Sequence, residues 1–113
     1  MISQGDIFWA DLAASSRSEP GLRRPVLIVQ RDAINCSRFN AVLVVPLTSK
    51  VHHASLTGNI EIPRGEGALP HKSLARATHV MVIDKDRLSD KIGTLPRSRL
   101  VKVLDAIAWV IDH

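Results

Sequence analysis

The chain has 113 residues, 45% of them hydrophobic and 23% charged, with a net charge of +4 at neutral pH and a pI of about 9.8. That length predicts one domain over residues 1–113, able to bury a core without metal or disulfide staples. The single Cys36 excludes an internal disulfide and points to a reducing, cytoplasmic compartment. No run approaches the ~18 apolar residues of a membrane span, and the start of the chain lacks the pattern of a signal peptide. Ten arginines and five lysines point toward a polyanionic partner such as nucleic acid. Only Phe8, Trp9, Phe39 and Trp109 are aromatic, which speaks against a broad base-stacking platform.

Taken in order, Asp6 to Leu12 alternates polar and apolar residues and predicts a first strand. Ala13 to Leu22 is small and polar, with Pro20-Gly21 as a turn signal, and predicts a loop of functional length. The stretch from Arg23 to Asp32 reads as a core strand (Val26-Leu27-Ile28-Val29), entered by Pro25 as its first residue. Arg23 and Arg24 stand at that entrance. They serve either as an anion site, since a guanidinium fork matches phosphate oxygens, or as ordinary surface ion pairs. Residues Asp32 to Arg38 form a connection, and Phe39 to Leu47 is the next strand, apolar enough at 41–45 for burial on both faces. Two such strands in succession pair antiparallel, which sets the end of one beside the start of the other. Arg24 and Thr48, with Ser49 beside it, are therefore expected to face one another.

Val51 to Thr57 reads as a loop. Asn59 to Pro63 is a short edge strand, Arg64 to Gly67 a turn, and Leu74–Thr78 and His79–Ile83 two further strands. Leu88 to Gly93 reads as a polar connection. From Arg97 to Ile111 the period becomes helical, with Leu100, Leu104, Ile107, Ala108 and Ile111 on one face and Pro96 suited to the first turn. Arg97, Arg99 and Lys102 crowd the N-terminal half against the favoured sense of the helix dipole. The predicted fold is mainly β with a C-terminal helix (α+β), a small bent antiparallel barrel carrying the helix.

The chemistry on offer is narrow. There is no P-loop, glycine-rich dinucleotide motif or zinc spacing, so no cofactor is implied. His52-His53 falls short of a metal site, which needs three or four converging ligands. His71 and His79 each suit a general base or a solvated position. Cys36 reads as an inert buried thiol, and Trp109 as packing at the dimer or barrel surface. Arginine plus hydroxyl beside a loop suits metal-free RNA cleavage, because RNA carries its own nucleophile in the 2′-OH.

The residues Gln4-Gly5-Asp6-Ile7-Phe8-Trp9-Ala10-Asp11-Leu12, Ser18-Glu19-Pro20-Gly21, Arg24-Pro25-Val26-Leu27-Ile28-Val29-Gln30, Pro46-Leu47-Thr48-Ser49, Leu69-Pro70-His71-Lys72-Ser73-Leu74 and Ile83-Asp84-Lys85-Asp86-Arg87-Leu88 resemble the MazF/PemK family of toxin endoribonucleases. The resemblance covers nearly the whole chain. It implies an SH3-like barrel, as in MazF, PemK and CcdB, forming a homodimer with single-stranded RNA in a groove at the dimer interface. It implies metal-independent, sequence-specific cleavage to 2′,3′-cyclic phosphate and 5′-hydroxyl ends. The target would be mRNA, rRNA or tRNA, so that translation and growth are inhibited. The partner would be a cognate antitoxin whose acidic C-terminal segment folds into the same groove. Carried over, the catalytic pair is Arg24 and Thr48. RNA contacts fall on Arg17, Ser18, Glu19, Arg23, Ser49, Ser73 and Arg76, and recognition of the motif on variable-loop residues such as Arg17, Asn35, Arg38 and His52. Some members carry an aspartate shortly after the arginine matching Arg76. Here Ala77 and Thr78 stand there, and His79 is the neighbour available for proton transfer. The alternative is a CcdB-like toxin that acts on gyrase by binding, through the terminal helix.

Overall fold

A computed structural model describes residues 1–12, 22–51 and 57–113. The predicted loop at 13–21, with Arg17, Ser18 and Glu19, lies outside the described residues, as does the His52-His53 pair. Seven strands form one sheet: β1 (Asp6–Asp11), β2 (Arg23–Ile28), β3 (Ala41–Thr48), β4 (Asn59–Ile62), β5 (Ser73–Arg76), β6 (Met81–Asp84) and β7 (Leu88–Thr94). Two helices, α1 (Asp32–Asn35) and α2 (Arg97–Ile111), complete it, with 3-10 turns at Glu66–Ala68, Ala77–His79 and Lys85–Arg87. The strand order is β4-β5-β3-β2-β1-β7, and every pairing is antiparallel.

β3 is the hub. One edge pairs with β2 through residues 44–46; the other pairs with β6 through 41–44 and with β5 through 47–48. Its alternation feeds two cores. Leu47 and Val45 join Ile7, Leu27, Ile62, Leu69, Ala75, Leu95, Leu100 and Val103 on the face covered by α2. Val42 and Val44 join Ala10, Val26, Ile28 and Ile83 on the other. Burying a single aliphatic side chain in either cluster contributes roughly 1.5–3 kcal/mol.

Several expectations are corrected. The sheet is open: β4 and β7, the two ends of the strand path, do not pair, and β6 pairs with β3 alone. The turn Glu66–Ala68 packs on β7, and α2 packs on β4, so turn and helix occupy the sides where closure would occur. Leu88 to Gly93 is part of a strand, β7, and no mere connection. As an edge strand it keeps residues 89–91 exposed, which hides the alternation. Ala77–His79 is a 3-10 turn, not strand, so β5 stops at Arg76 and β6 starts at Met81. Pro25 is the third residue of β2, paired with Trp9 of β1, one place beyond the β2–β3 ladder. The helix bounds agree with the periodicity, but the buried line runs through Leu100 and Val103, while Ala108 is exposed and Ile111 is 68% exposed. Cys36 is exposed, because α1 is one turn on the surface.

Two polar arrangements hold the frame. Asn35 is buried; its Nδ2 donates to the Gln30 carbonyl and to Asp32 Oδ1, and its Oδ1 accepts from Gln30 Nε2. Gln30 Oε1 in turn accepts from the Leu43 N–H, and Lys85 Nζ donates to the Asn35 carbonyl. Asn35 is therefore a structural group and is withdrawn from any recognition surface. Asp32 also accepts from the Gln4 N–H, and these bonds, that one foremost, hold its carboxyl below its usual range. At the start of α2, Arg99 Nε and Nη2 donate to Glu66 Oε1 and Oε2 at 2.8 and 3.0 Å. The fork depresses the Glu66 carboxyl below its ordinary range and raises Arg99 further. One of the badly placed helix cations is thereby neutralised.

Candidate active site at the open end of the β2–β3 ladder

Proline has no N–H to donate, and two prolines bracket the end of the β2–β3 pairing. The ladder runs Ile28↔Val44, Leu27↔Val45 and Val26↔Pro46, with Pro25 next in β2. Continuing that register by two residues sets Arg24 opposite Thr48. The strands thus end in a notch with a guanidinium on one side and a hydroxyl on the other, as the antiparallel reading expected.

Both residues line the same two cavities. The first, about 390 Å3, is lined by Leu12, Leu22, Arg24, Pro46, Leu47, Thr48, Arg76, His79 and Met81. The second, about 240 Å3, is bounded by Trp9, Pro25, Leu47, Leu69, Pro70 and Ile92, with Arg24, Thr48, Ser49, Lys50, His71 and Ser73 also lining it. Among the described residues no carboxylate lines either cavity.

The hydrogen bonding is as informative as the positions. Arg24 is half-buried; its backbone belongs to the β1–β2 ladder, and among the described residues its guanidinium has no hydrogen-bond or ion-pair partner. Arg76 has a buried Nε with no partner. A buried donor left unpaired costs about 1–3 kcal/mol, which applies to Arg76 Nε, while the half-buried Arg24 guanidinium keeps its donors for an anion that the described residues do not supply. Thr48 Oγ1 accepts from the Lys50 N–H at 3.2 Å, which leaves its hydroxyl proton to donate outward. His79 is exposed at the rim, its Nδ1 3.0 Å from Thr78 Oγ1. That contact occupies one ring nitrogen and leaves Nε2. Gly58 supports the arrangement: its φ is +86°, its carbonyl accepts from the Ala77 N–H, and a Cβ there would sit 2.8 Å from Thr78 Cγ2.

The other sequence-derived candidates divide. Ser49 and Ser73 line the smaller cavity, although Ser73 is buried and donates its hydroxyl to the His71 carbonyl. Arg23 does not join Arg24. Its guanidinium lies 4.7 Å from the Trp9 ring centroid and 3.6 Å from Asp90, and it lines a separate surface hollow with Asp11, Asp86 and Arg87. Side chains alternate across a strand, so neighbouring arginines go to opposite faces. Arg38 is exposed. Reasoning from sequence named His71 only as a general-base candidate and did not single out Trp9 or Lys50, which also line the smaller cavity; Trp9 comes there because it pairs with Pro25 across β1 and β2, a register no local motif signals.

Comparisons with known proteins bear on the family and the fold. The chain is similar to the endoribonuclease MazF6 of Mycobacterium tuberculosis, 36% identical over 112 residues that cover 99% of this chain and 98% of that one. A MazE–MazF structure from Deinococcus radiodurans superposes with a TM-score of 0.81 at 20% identity, covering 97% of this chain and 95% of that one. A mycobacterial endoribonuclease in complex with its cognate antitoxin gives 0.74 at 20% identity, covering 97% and 92%. At those identities the two structures speak for the fold. The family profile for PemK-like, MazF-like toxins of type II toxin–antitoxin systems matches residues 3–111, and the chain belongs to that family.

Proposed function

We propose that this chain is a sequence-specific endoribonuclease toxin, a single toxin domain over residues 1–113, acting in the cytoplasm on single-stranded RNA without a metal. The observation that carries it is the opposition of Arg24 and Thr48 across the end of the β2–β3 ladder, with the Arg24 guanidinium unpaired among the described residues. In the proposed reaction the ribose 2′-oxygen attacks the adjacent phosphorus while the bond from phosphorus to the 5′-oxygen breaks. The 2′-hydroxyl loses a proton and the departing 5′-oxygen gains one, leaving a 2′,3′-cyclic phosphate and a 5′-hydroxyl end. Arg24 stabilises the charge that grows on the phosphoryl oxygens, and Thr48 donates to one of them. Arg76, which lines the same cavity, holds the neighbouring phosphate through its guanidinium. His79 serves proton transfer through Nε2, the task a carboxylate performs in relatives that carry aspartate nearby. Ser49 and Ser73 line the path of the RNA. Arg17, Ser18, Glu19 and Arg23 extend the groove beyond the reacting phosphate.

The chain works as a homodimer, and cleavage of mRNA, rRNA or tRNA inhibits translation and growth. A cognate antitoxin relieves the inhibition by laying an acidic segment over the same cations. No helix among the described residues is long and apolar enough to cross a membrane.

The test is incubation with a long single-stranded RNA in excess EDTA, with Arg24→Ala and Thr48→Ala beside the wild type and the fragment ends mapped. Discrete cuts with cyclic-phosphate and 5′-hydroxyl ends, lost in both variants, are expected. Intact RNA from folded, antitoxin-free protein would overturn the reading. It would direct attention to binding by the end of α2, where Trp109 is 64% exposed.

A further inference from the structure

We infer that the smaller cavity, between Trp9, Pro25 and Ile92, is the subsite for one nucleobase next to the scissile phosphate, and that Trp9 is its stacking floor. This rests on the nuclease reading above. Arg24 and Thr48 form the wall shared by the two cavities, so a phosphate held between them has a space on either side. The two spaces differ in chemistry. The larger is cationic, with Arg76 and His79 opposite Arg24, and suits the continuing phosphate chain. The smaller is apolar at its base, with Trp9, Pro25, Leu47, Leu69, Pro70 and Ile92, and holds Lys50 and His71 among its polar lining groups. An unstacked base buries its faces on aromatic and apolar side chains and offers its edge to polar groups, which is what the smaller space provides.

Trp9 is built for this. Arg23 lies over the indole at 4.7 Å and is itself held by Asp90, yet Arg23 does not line the smaller cavity. The indole thus carries a guanidinium from outside the cavity while Trp9 itself lines it, where the base would meet the ring. That gives Arg23 a positioning role: it orients Trp9 and does not touch the reacting phosphate. Lys50, as a donor without acceptor capacity, favours a base edge rich in carbonyl oxygens, uracil or guanine.

The experiment uses the wild-type protein and a short RNA containing one of its mapped cut sites. The base is removed, leaving an abasic ribose, at the nucleotide on either side of the cut in turn. Loss of one of the two bases is expected to slow cleavage between about 5-fold and 150-fold, the range of base-on-aromatic stacking. Trp9→Ala slows cleavage of the intact RNA to a similar degree but adds nothing on the abasic RNA. Asp90→Ala, which frees Arg23, gives a smaller loss confined to the intact RNA. Cleavage that depends on Arg24 but ignores both abasic substitutions would overturn the subsite and keep the nuclease. The same holds if Trp9→Ala weakens only the binding of an acidic antitoxin peptide, which would make the cavity a protein-side-chain pocket. Because the abasic arm needs only wild-type protein, misfolding of a Trp9 variant does not rescue the proposal. Failure to cut any RNA would overturn both readings together.

Discussion

Arg99 and Arg24 are both partly buried guanidiniums on this small basic protein, and their surroundings are opposite. Arg99, at the start of α2, closes a two-bond fork on Glu66 and ties the helix to the turn at Glu66–Ala68. Arg24, at the end of the β2–β3 ladder, has no partner among the described residues, and Arg76 nearby keeps a buried Nε unpaired. Arg99 has its charge answered from within the chain. The ladder end leaves its charges open. A folded protein tolerates unanswered buried donors where a ligand will supply the acceptor, so the contrast separates scaffold from site more sharply than exposure or charge density does.

The largest effect that tests this contrast is on catalysis. Arg24→Ala should lower kcat by about a hundredfold to a thousandfold, the usual loss when a donor to transition-state charge is removed, while the melting temperature stays unchanged. Arg99→Ala should do the reverse, lowering the melting temperature and leaving RNA cleavage intact. Melting curves and single-turnover rates on the same preparations check both, and a fall in stability for Arg24→Ala would erase the distinction.

Next comes a polar group that is buried yet answered. Asn35→Ala removes partners from Gln30 and Asp32 and should cost about 2 kcal/mol in denaturant unfolding, without changing the mapped cut sites. Altered cut sites would return Asn35 to the recognition surface.

A smaller effect sharpens the helix side through pH. Hydrogen bonds from Arg99 hold the Glu66 carboxyl below its unfolded value, so its contribution is present above the ordinary glutamate pKa of about 4.3 and is lost as pH falls through the folded value. The difference in melting temperature between wild type and Glu66→Gln should be full at pH 7 and shrink toward zero in acid. A difference that grows in acid would contradict the ion pair. Smallest of all, Ala68 sits at φ +61°, where a Cβ is strained, so Ala68→Gly should stabilise by up to about 1 kcal/mol in denaturant titrations with cleavage unchanged.

The antiparallel pairing of β2 with β3 was legible because two long apolar runs followed one another, and from it came the opposition of Arg24 and Thr48. α2 was legible from Arg97 to Ile111 because its period changed. β7 was not, since an edge strand with exposed residues carries little alternation, and the open sheet was hidden for a related reason: closure depends on what packs along the edges. Which of two adjacent arginines turns toward the site could not be read from composition; the resemblance put catalysis on Arg24 and an RNA contact on Arg23, and packing alone turned Arg23 onto Trp9.

What the sequence by itself determined about this protein is therefore local. It set where the strands and the helix run, where prolines stop a ladder, and which strand ends carry a cation and a hydroxyl. Tertiary structure alone decided that Asn35 is buried, that Arg23 stacks on Trp9, and that Arg24 and Arg76 share a cavity with no acidic partner among the described residues. Backbone patterns follow from neighbours in the chain. The partners of a long polar side chain come from segments tens of residues away, and only packing brings those together.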